Sequence, residues 1–161
     1  MSQPIKNVAI VGAGGHIGSY IVNALLEQGK HHITAITRPD SSAQLPKGIH
    51  DVKKVDYSDH STIVEALQGQ DFFIISMNVM APKDSQTRLI DAAIEAGVRW
   101  IMPNEYGGNY SNPDYARDIG LAEGILAIRR YIEAKGGDKT SWCALSCGFW
   151  YEFSLSGAEM R

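Results

Sequence analysis

Cysteine is scarce: Cys143 and Cys147 are the only two in 161 residues. That excludes a disulfide framework, offers no zinc-ligand spacing and fits a reducing compartment such as the cytoplasm. Blocks of positive charge are missing as well. The chain carries 15 Lys and Arg against 18 Asp and Glu, a net charge of −3, so neither a nucleic acid nor an anionic membrane is an expected partner. No apolar run approaches the ~18 residues that suggest a membrane span. The amino terminus, MSQPIKNVAIVG, has no signal-peptide plan. Repeats, low-complexity tracts and interdomain linkers are absent too, and the length suits a single domain with its own core.

What is present is an alternation. Apolar, β-branched runs at 7–12, 32–37, 51–55, 72–77, 98–102 and 141–146 read as strands. The central ones are almost continuously apolar, as parallel strands covered on both faces are. Helical patterns lie between them. Ile17, Ile21 and Leu25 share one helical face, and Gly29 supplies a stop. Thr62 and Glu65 have capping-box spacing before a second helix that ends near Gly69. A third is expected from about Pro82 to Ala96, and a fourth from about Asp118 to Lys135, striped by Leu121, Ile125, Ile128 and Ile132. This order implies a parallel sheet with right-handed crossovers. Two long polar loops, 38–48 and 104–117, leave the carboxyl ends of strands, where such sheets bind ligands.

The stretch VGAGGHIG, residues 11–18, joins the first strand to the first helix. Its glycines follow G-x-x-G-x-x-G spacing at Gly12, Gly15 and Gly18, with Gly14 as an extra. A turn required by packing alone is the plainer explanation. The strand–turn–helix setting favours a dinucleotide site. Gly12 permits a tight turn, Gly15 admits a pyrophosphate to the backbone, and Gly18 lets the helix lie close to the strand. At the end of the second strand, an acid would bind the ribose hydroxyl of NAD. Thr37 and Arg38 stand there instead, and a guanidinium suits a 2′-phosphate. NADP(H) is therefore favoured over NAD(H), with Asp40 close by as the competing acid.

VGAGGHIG, the following TR, VDYSDHSTIVEALQGQDFFIISM and AGVRWIMPNEYG together resemble the NmrA-like and isoflavone-reductase-like proteins, atypical relatives of the short-chain dehydrogenases. RRYIEAKGGDKTSWCALSCGFWYEFSL is most similar to the fungal CipA-type oxidoreductases, and the likeness runs from about residue 6 to residue 156. It implies an α/β fold: a Rossmann-like doubly wound parallel sheet of six strands in the order 3-2-1-4-5-6, forming one domain over 1–161. It further implies that Gly12, Gly15, His16, Ile17 and Gly18 cradle a pyrophosphate and that Arg38, beside Thr37, meets the 2′-phosphate. On the same grounds Asp56 and Tyr57 lie near the adenine, and Met77 and Asn78 pass under a ribose. Pro103, Asn104 and Glu105 fall near the nicotinamide end, which Phe149 and Trp150 close, although core packing explains those two aromatics equally well.

Two absences qualify the resemblance. Reducing members of the family use a lysine that the pattern places near Gly124 or Ile125, yet no lysine occurs between Lys83 and Lys135. Tyr131 and Lys135 have Y-x-x-x-K spacing, but a cation in a last helical turn is accounted for by the helix dipole. Tyr106, Tyr110 and Tyr115 are further candidate proton donors, and no residue is singled out. By the resemblance, most of the family's substrate-binding subdomain is also expected to be missing from these 161 residues. The aromatic segment 149–161 is then expected to meet a second copy or a protein partner. The leading expectation is the NADP(H)-binding domain of an isoflavone-reductase-like oxidoreductase that passes hydride from NADPH to a small organic metabolite. The alternatives are a non-catalytic NADP(H)-sensing regulator and an inactive truncated homologue.

Overall fold

The structure, a computed structural model, describes residues 3–150 except Val79, Lys83, Leu121 and Phe149. The expected contact segment 149–161 lies outside the described residues apart from Trp150. Eleven elements follow one another among the described residues. They are β1 (Asn7–Val11), α1 (His16–Gln28), β2 (His32–Thr37), β3 (Asp51–Lys54), α2 (His60–Leu67), β4 (Phe72–Ile75), α3 (Ser85–Glu95), β5 (Trp100–Met102), α4 (Pro113–Asp118), α5 (Ala122–Gly136) and β6 (Ser141–Trp142). The six strands pair in the order β3-β2-β1-β4-β5-β6, all parallel. This is the expected doubly wound, Rossmann-like sheet. No helix among the described residues is long and apolar enough to cross a membrane.

Alternation along the strands divides the core into two layers. Val8 and Ile10 of β1, Ile33 and Ala35 of β2 and Ile74 of β4 face α1, where Val22 is fully buried and Ile21, Leu25 and Leu26 pack around it. Ala9, Val11, Ile36, Phe73 and Ile75 face the other way, onto Ile63 and Leu67 of α2, Leu89, Ile90 and Ala93 of α3 and Ile132 of α5. Each fully buried large aliphatic side chain contributes about 1.5–3 kcal/mol, so both faces of the central strands are held strongly. α1 ends at Gly29, whose φ of 62° puts it in the left-handed region and whose N–H reaches the Leu26 carbonyl at 3.0 Å.

Several boundaries differ from expectation. α2 is capped by Asp59, whose carboxylate accepts the Ser61 N–H at 3.0 Å. The expected cap, Thr62, lies inside the helix and donates its hydroxyl to the Asp59 carbonyl. α3 begins at Ser85 rather than near Pro82. β5 begins at Trp100 because Val98 still belongs to the turn after α3, its N–H on the Ala93 carbonyl. The fourth expected helix resolves into two. α4 is a short helix inside the supposed 104–117 loop, with Asn112 as its cap and Pro113 opening it. α5 starts only at Ala122. β6 has two residues, where six were expected.

The chain runs from β1 outward to β2 on one side, and β4 lies on the other. Strand order therefore reverses between β1 and β4, and a crevice opens beyond their carboxyl ends.

Candidate functional site

A cavity of about 600 Å³ fills that crevice, a volume suited to a sizeable small molecule. Its floor is Val11–Gly15 from the end of β1, Ile36–Arg38 from β2 and Ser76–Asn78 from beyond β4. Ser41, Ala43 and Leu45 form one lip, and Met80, Ala81, Pro82 and Ser85 the other. The expected loop 38–48 thus lines the cavity. The 104–117 segment is not among its lining residues.

The glycines separate into two kinds. A Cβ on Gly12 would come within 1.7 Å of the Ser76 carbonyl oxygen, and its φ is +80°. One on Gly18 would lie 2.0 Å from the Gly12 carbonyl oxygen, and one on Gly14 would lie 2.6 Å from that of Gln44. These three are fixed by the close approach of backbone to backbone. Gly15 is different. Its φ is −77°, it is exposed, and an added Cβ would meet only the Gly12 oxygen at 3.1 Å. Folding places a much weaker demand on glycine there, at the exposed start of α1.

Helix capping follows the same division. α2 and α4 have side-chain caps from Asp59 and Asn112. α1 and α3 begin at residues whose side chains make no cap bond, Gly15 and Asp84. Those are the two helices that start beside the cavity lining. The first turn of α1 (His16, Ile17 and Gly18) so carries N–H groups and positive partial charge next to Gly15 with no protein side chain to take them up.

The other expected residues divide between the cavity lining and its surroundings. Thr37 is half-buried at the end of β2, and Arg38 lies beyond it with 63% of its side chain exposed. Among the described residues the guanidinium pairs with Asp40 alone, at 3.7 Å, which leaves most of its donors to the cavity and solvent. Asp56 does not line the cavity. It accepts the N–H and hydroxyl of Ser58, which hold its carboxyl below the usual range. Its neighbour Tyr57 does line the cavity, and burial pushes its hydroxyl up to about 12. A neutral phenol wall results. Met77 and Asn78 are in the floor. Pro103 and Asn104 lie outside the lining, at the carboxyl end of β5. Trp150 donates its indole N–H to the Tyr106 carbonyl at 2.8 Å and stacks on His16 with ring centroids 6.2 Å apart. Phe149 lies outside the described residues. No cluster of ligating side chains suited to a metal ion occurs among the described residues.

The fold agrees with that of known proteins. Residues 4–156 match the NmrA-like family. The chain belongs to that family. Oxidoreductase aprR of Aspergillus flavus is 32% identical over 149 residues, which make up 92% of this chain and 50% of that protein. The crystal structure of an isoflavone reductase superposes with a TM-score of 0.75 at 26% identity, over 94% of this chain and 52% of that one. The NADPH-dependent quinone oxidoreductase of Escherichia coli, solved in complex with NADPH, gives 0.74 at 25% identity over 94% and 52%. This NmrA-like chain spans about half the length of the curated relatives it matches.

The candidate proton donors of this NmrA-like chain are mostly engaged elsewhere. The Tyr106 hydroxyl is buried and donates to the Ile75 carbonyl at 2.9 Å. Tyr110 and Tyr115 pack edge to face at 5.5 Å. Tyr131 donates to the Asp91 carboxylate at 2.8 Å, and Lys135 sits 3.7 Å from the same carboxylate. The Y-x-x-x-K pair therefore bolts α5 to α3. Sequence reasoning missed the ion pair between Glu105 and Arg129, both buried, with Arg129 also donating to Ser111 at 2.8 Å. A charge on the inward face of α5 breaks the apolar stripe that periodicity looks for, and its partner lies 24 residues away.

Proposed function

We propose that this chain is the NADP(H)-binding part of an isoflavone-reductase-like oxidoreductase, acting on a small conjugated metabolite. The observation that carries the reading is the cavity itself. It joins a glycine turn and an uncapped helix start at β1 to a largely unpaired guanidinium at β2. Backbone N–H groups around Gly15, His16 and Ile17 would hold the diphosphate. Arg38 would pair with the 2′-phosphate through its fork of donors, with Thr37 beside it. Tyr57 offers an apolar, uncharged wall to the adenine. Met77 and Asn78 would run beneath the ribose, and Pro103 and Asn104 support the far end. Bound NADPH would supply the hydride. Similar proteins point the same way, since one structure of similar fold is an NADPH-dependent quinone oxidoreductase in complex with NADPH. A cytoplasmic location fits two free thiols.

Calorimetric titration with NADPH and with NADH, on the native chain and on Arg38→Ala, tests the reading. We expect micromolar NADPH binding that drops about tenfold or more in the variant, with NADH little changed. A folded chain that binds neither dinucleotide overturns it.

A non-catalytic NADP(H) sensor is the second reading. It is favoured by the tie between Tyr131 and Asp91 and by the lack of any lysine from 84 to 134. NADPH oxidation in the presence of quinones or phenylpropanoid-like substrates separates the two: turnover excludes the sensor. A protein partner whose affinity changes with the dinucleotide supports it, because such coupling is reciprocal.

A further inference from the structure

The β4–β5 ladder pairs Phe72 with Trp100, Phe73 with Ile101 and Ile74 with Met102. β5 ends at Met102, and the next backbone N–H on its β4 side, that of Asn104, turns away to the Gln86 side chain, so the ladder stops there. Ser76, Met77 and Asn78 continue past that point as the floor of the cavity, without strand pairing on the β5 side. Asn104 takes over. Its side-chain oxygen accepts the Met77 N–H at 3.0 Å, and its side-chain amide donates to the Met77 carbonyl at 3.1 Å. A carboxamide carries the same donor and acceptor as a peptide group, so the Asn104 side chain supplies to Met77 the rung that its own main chain no longer makes. Its own N–H is held by the Gln86 side chain at 2.7 Å, from the first turn of α3. Tyr106 adds a bond from its hydroxyl to the Ile75 carbonyl, two residues before Met77.

We propose that Asn104 is a positioning residue for the dinucleotide. Both ends of its carboxamide are spent on Met77, and it fixes the floor beneath the ligand instead of contacting it. The inference rests on the dinucleotide reading above. It assigns Asn104 to the β4 side of the cavity, remote from the Arg38 side at β2. Asn104→Ala should weaken whole NADP+ about tenfold, as the loss of two hydrogen bonds to a partly buried peptide implies. It should leave adenosine 2′,5′-bisphosphate, which reaches only the Arg38 half, within about twofold of the native value.

The experiment titrates NADP+ and adenosine 2′,5′-bisphosphate into the native chain, Asn104→Ala, Asn104→Asp and Gln86→Ala, with thermal melts alongside. Gln86→Ala removes a single bond outside the cavity floor and should show the same pattern at about threefold, which keeps the test alive if Asn104→Ala does not fold. Asn104→Asp still accepts the Met77 N–H but turns a carboxylate on the Met77 carbonyl. Its NADP+ affinity should recover as the pH falls and the acid becomes a donor, while the native chain and Asn104→Ala show no such recovery. Equal losses for the fragment and the whole dinucleotide, or no loss at all, overturn the inference. A native chain that binds neither ligand overturns the dinucleotide reading, and this inference falls with it.

Discussion

At the amino edge of the sheet, Asp71 accepts the Lys6 and Asn7 N–H groups at 2.8 and 2.9 Å on one oxygen and Arg99 at 2.8 Å on the other. Arg99 in turn donates to the carbonyls of Gln3 and Pro4. At the carboxyl edge, over β1 and β2, α1 starts with no side-chain cap and Arg38 has a single loose partner among the described residues. One edge completes its hydrogen bonding with its own side chains, and the other stops short of doing so. Polar groups that a fold leaves unmatched beside a cavity are where a charged ligand gains most, since nothing has to be displaced first. The contrast also divides the carboxyl edge itself. Over β5 it is closed by Asn104, Tyr106 and the Glu105–Arg129 pair. The β2–β1–β4 portion stays open.

The strongest way to break the comparison is to open the closed portion. Glu105→Ala leaves the Arg129 guanidinium buried over Trp142, 4.8 Å from the ring centroid, with Ser111 as its remaining side-chain acceptor. A loss of about 3–5 kcal/mol is expected, read from urea unfolding. Replacing both members by apolar residues should recover most of it. Next in size is Gly12→Ala. The added methyl drives against the Ser76 carbonyl from a positive φ, and the expected cost is about 3 kcal/mol with loss of the cavity's shape.

Asp71 tests the opposite edge. Asp71→Ala removes two main-chain bonds and an ion pair and should cost about 1–3 kcal/mol while leaving dinucleotide affinity unchanged. Burial pushes the Asp71 carboxyl up, but the Asn7 and Lys6 N–H groups and the Arg99 guanidinium outweigh it and hold the folded value below the usual one. A depressed carboxylate contributes its full stability above the unfolded value of about 3.9 and loses it as pH falls through the folded value. The gap between native and variant melts should therefore be constant near neutrality and shrink only below about pH 4.

Much of this was legible in the sequence, for physical reasons that differ by element. β1, β2 and β4 are buried on both faces, so their apolar runs are nearly unbroken and their placement follows directly. The glycine turn was legible because Gly12 and Gly18 answer to steric demands that the spacing itself encodes. Thr37, Arg38, Met77 and Asn78 line the cavity because they lie just past the carboxyl ends of those strands. What escaped depends on side chains meeting across long separations. Asp59 won the α2 cap over Thr62 because the chain already turns at Asp56–Asp59, where the Asp59 N–H reaches the Asp56 carbonyl at 3.0 Å. α4 hides in a stretch of polar and turn residues. Nothing local announces that Asn104 will bond to Met77, 27 residues away, or that Glu105 will find Arg129.

Gly15→Ala carries the smallest stability change and sharpens the contrast most. Its backbone is in an extended conformation that alanine adopts freely, and the one close neighbour, the Gly12 carbonyl oxygen at 3.1 Å, needs to give by only a few tenths of an ångström. The melt should move by less than what about 1 kcal/mol produces, or even rise slightly, because alanine lowers the entropy of the unfolded chain. If the exposed face of Gly15 is where a diphosphate lies, the same methyl stands between it and the backbone N–H groups of α1. Affinity for NADPH and for NADH should then fall together, by about tenfold or more, since both share that group. A variant that is as stable as the native chain and binds both dinucleotides as well would mean that the open edge is open for some other ligand. Gly12 and Gly18 would still be explained by packing, and Gly15 would need a different cause.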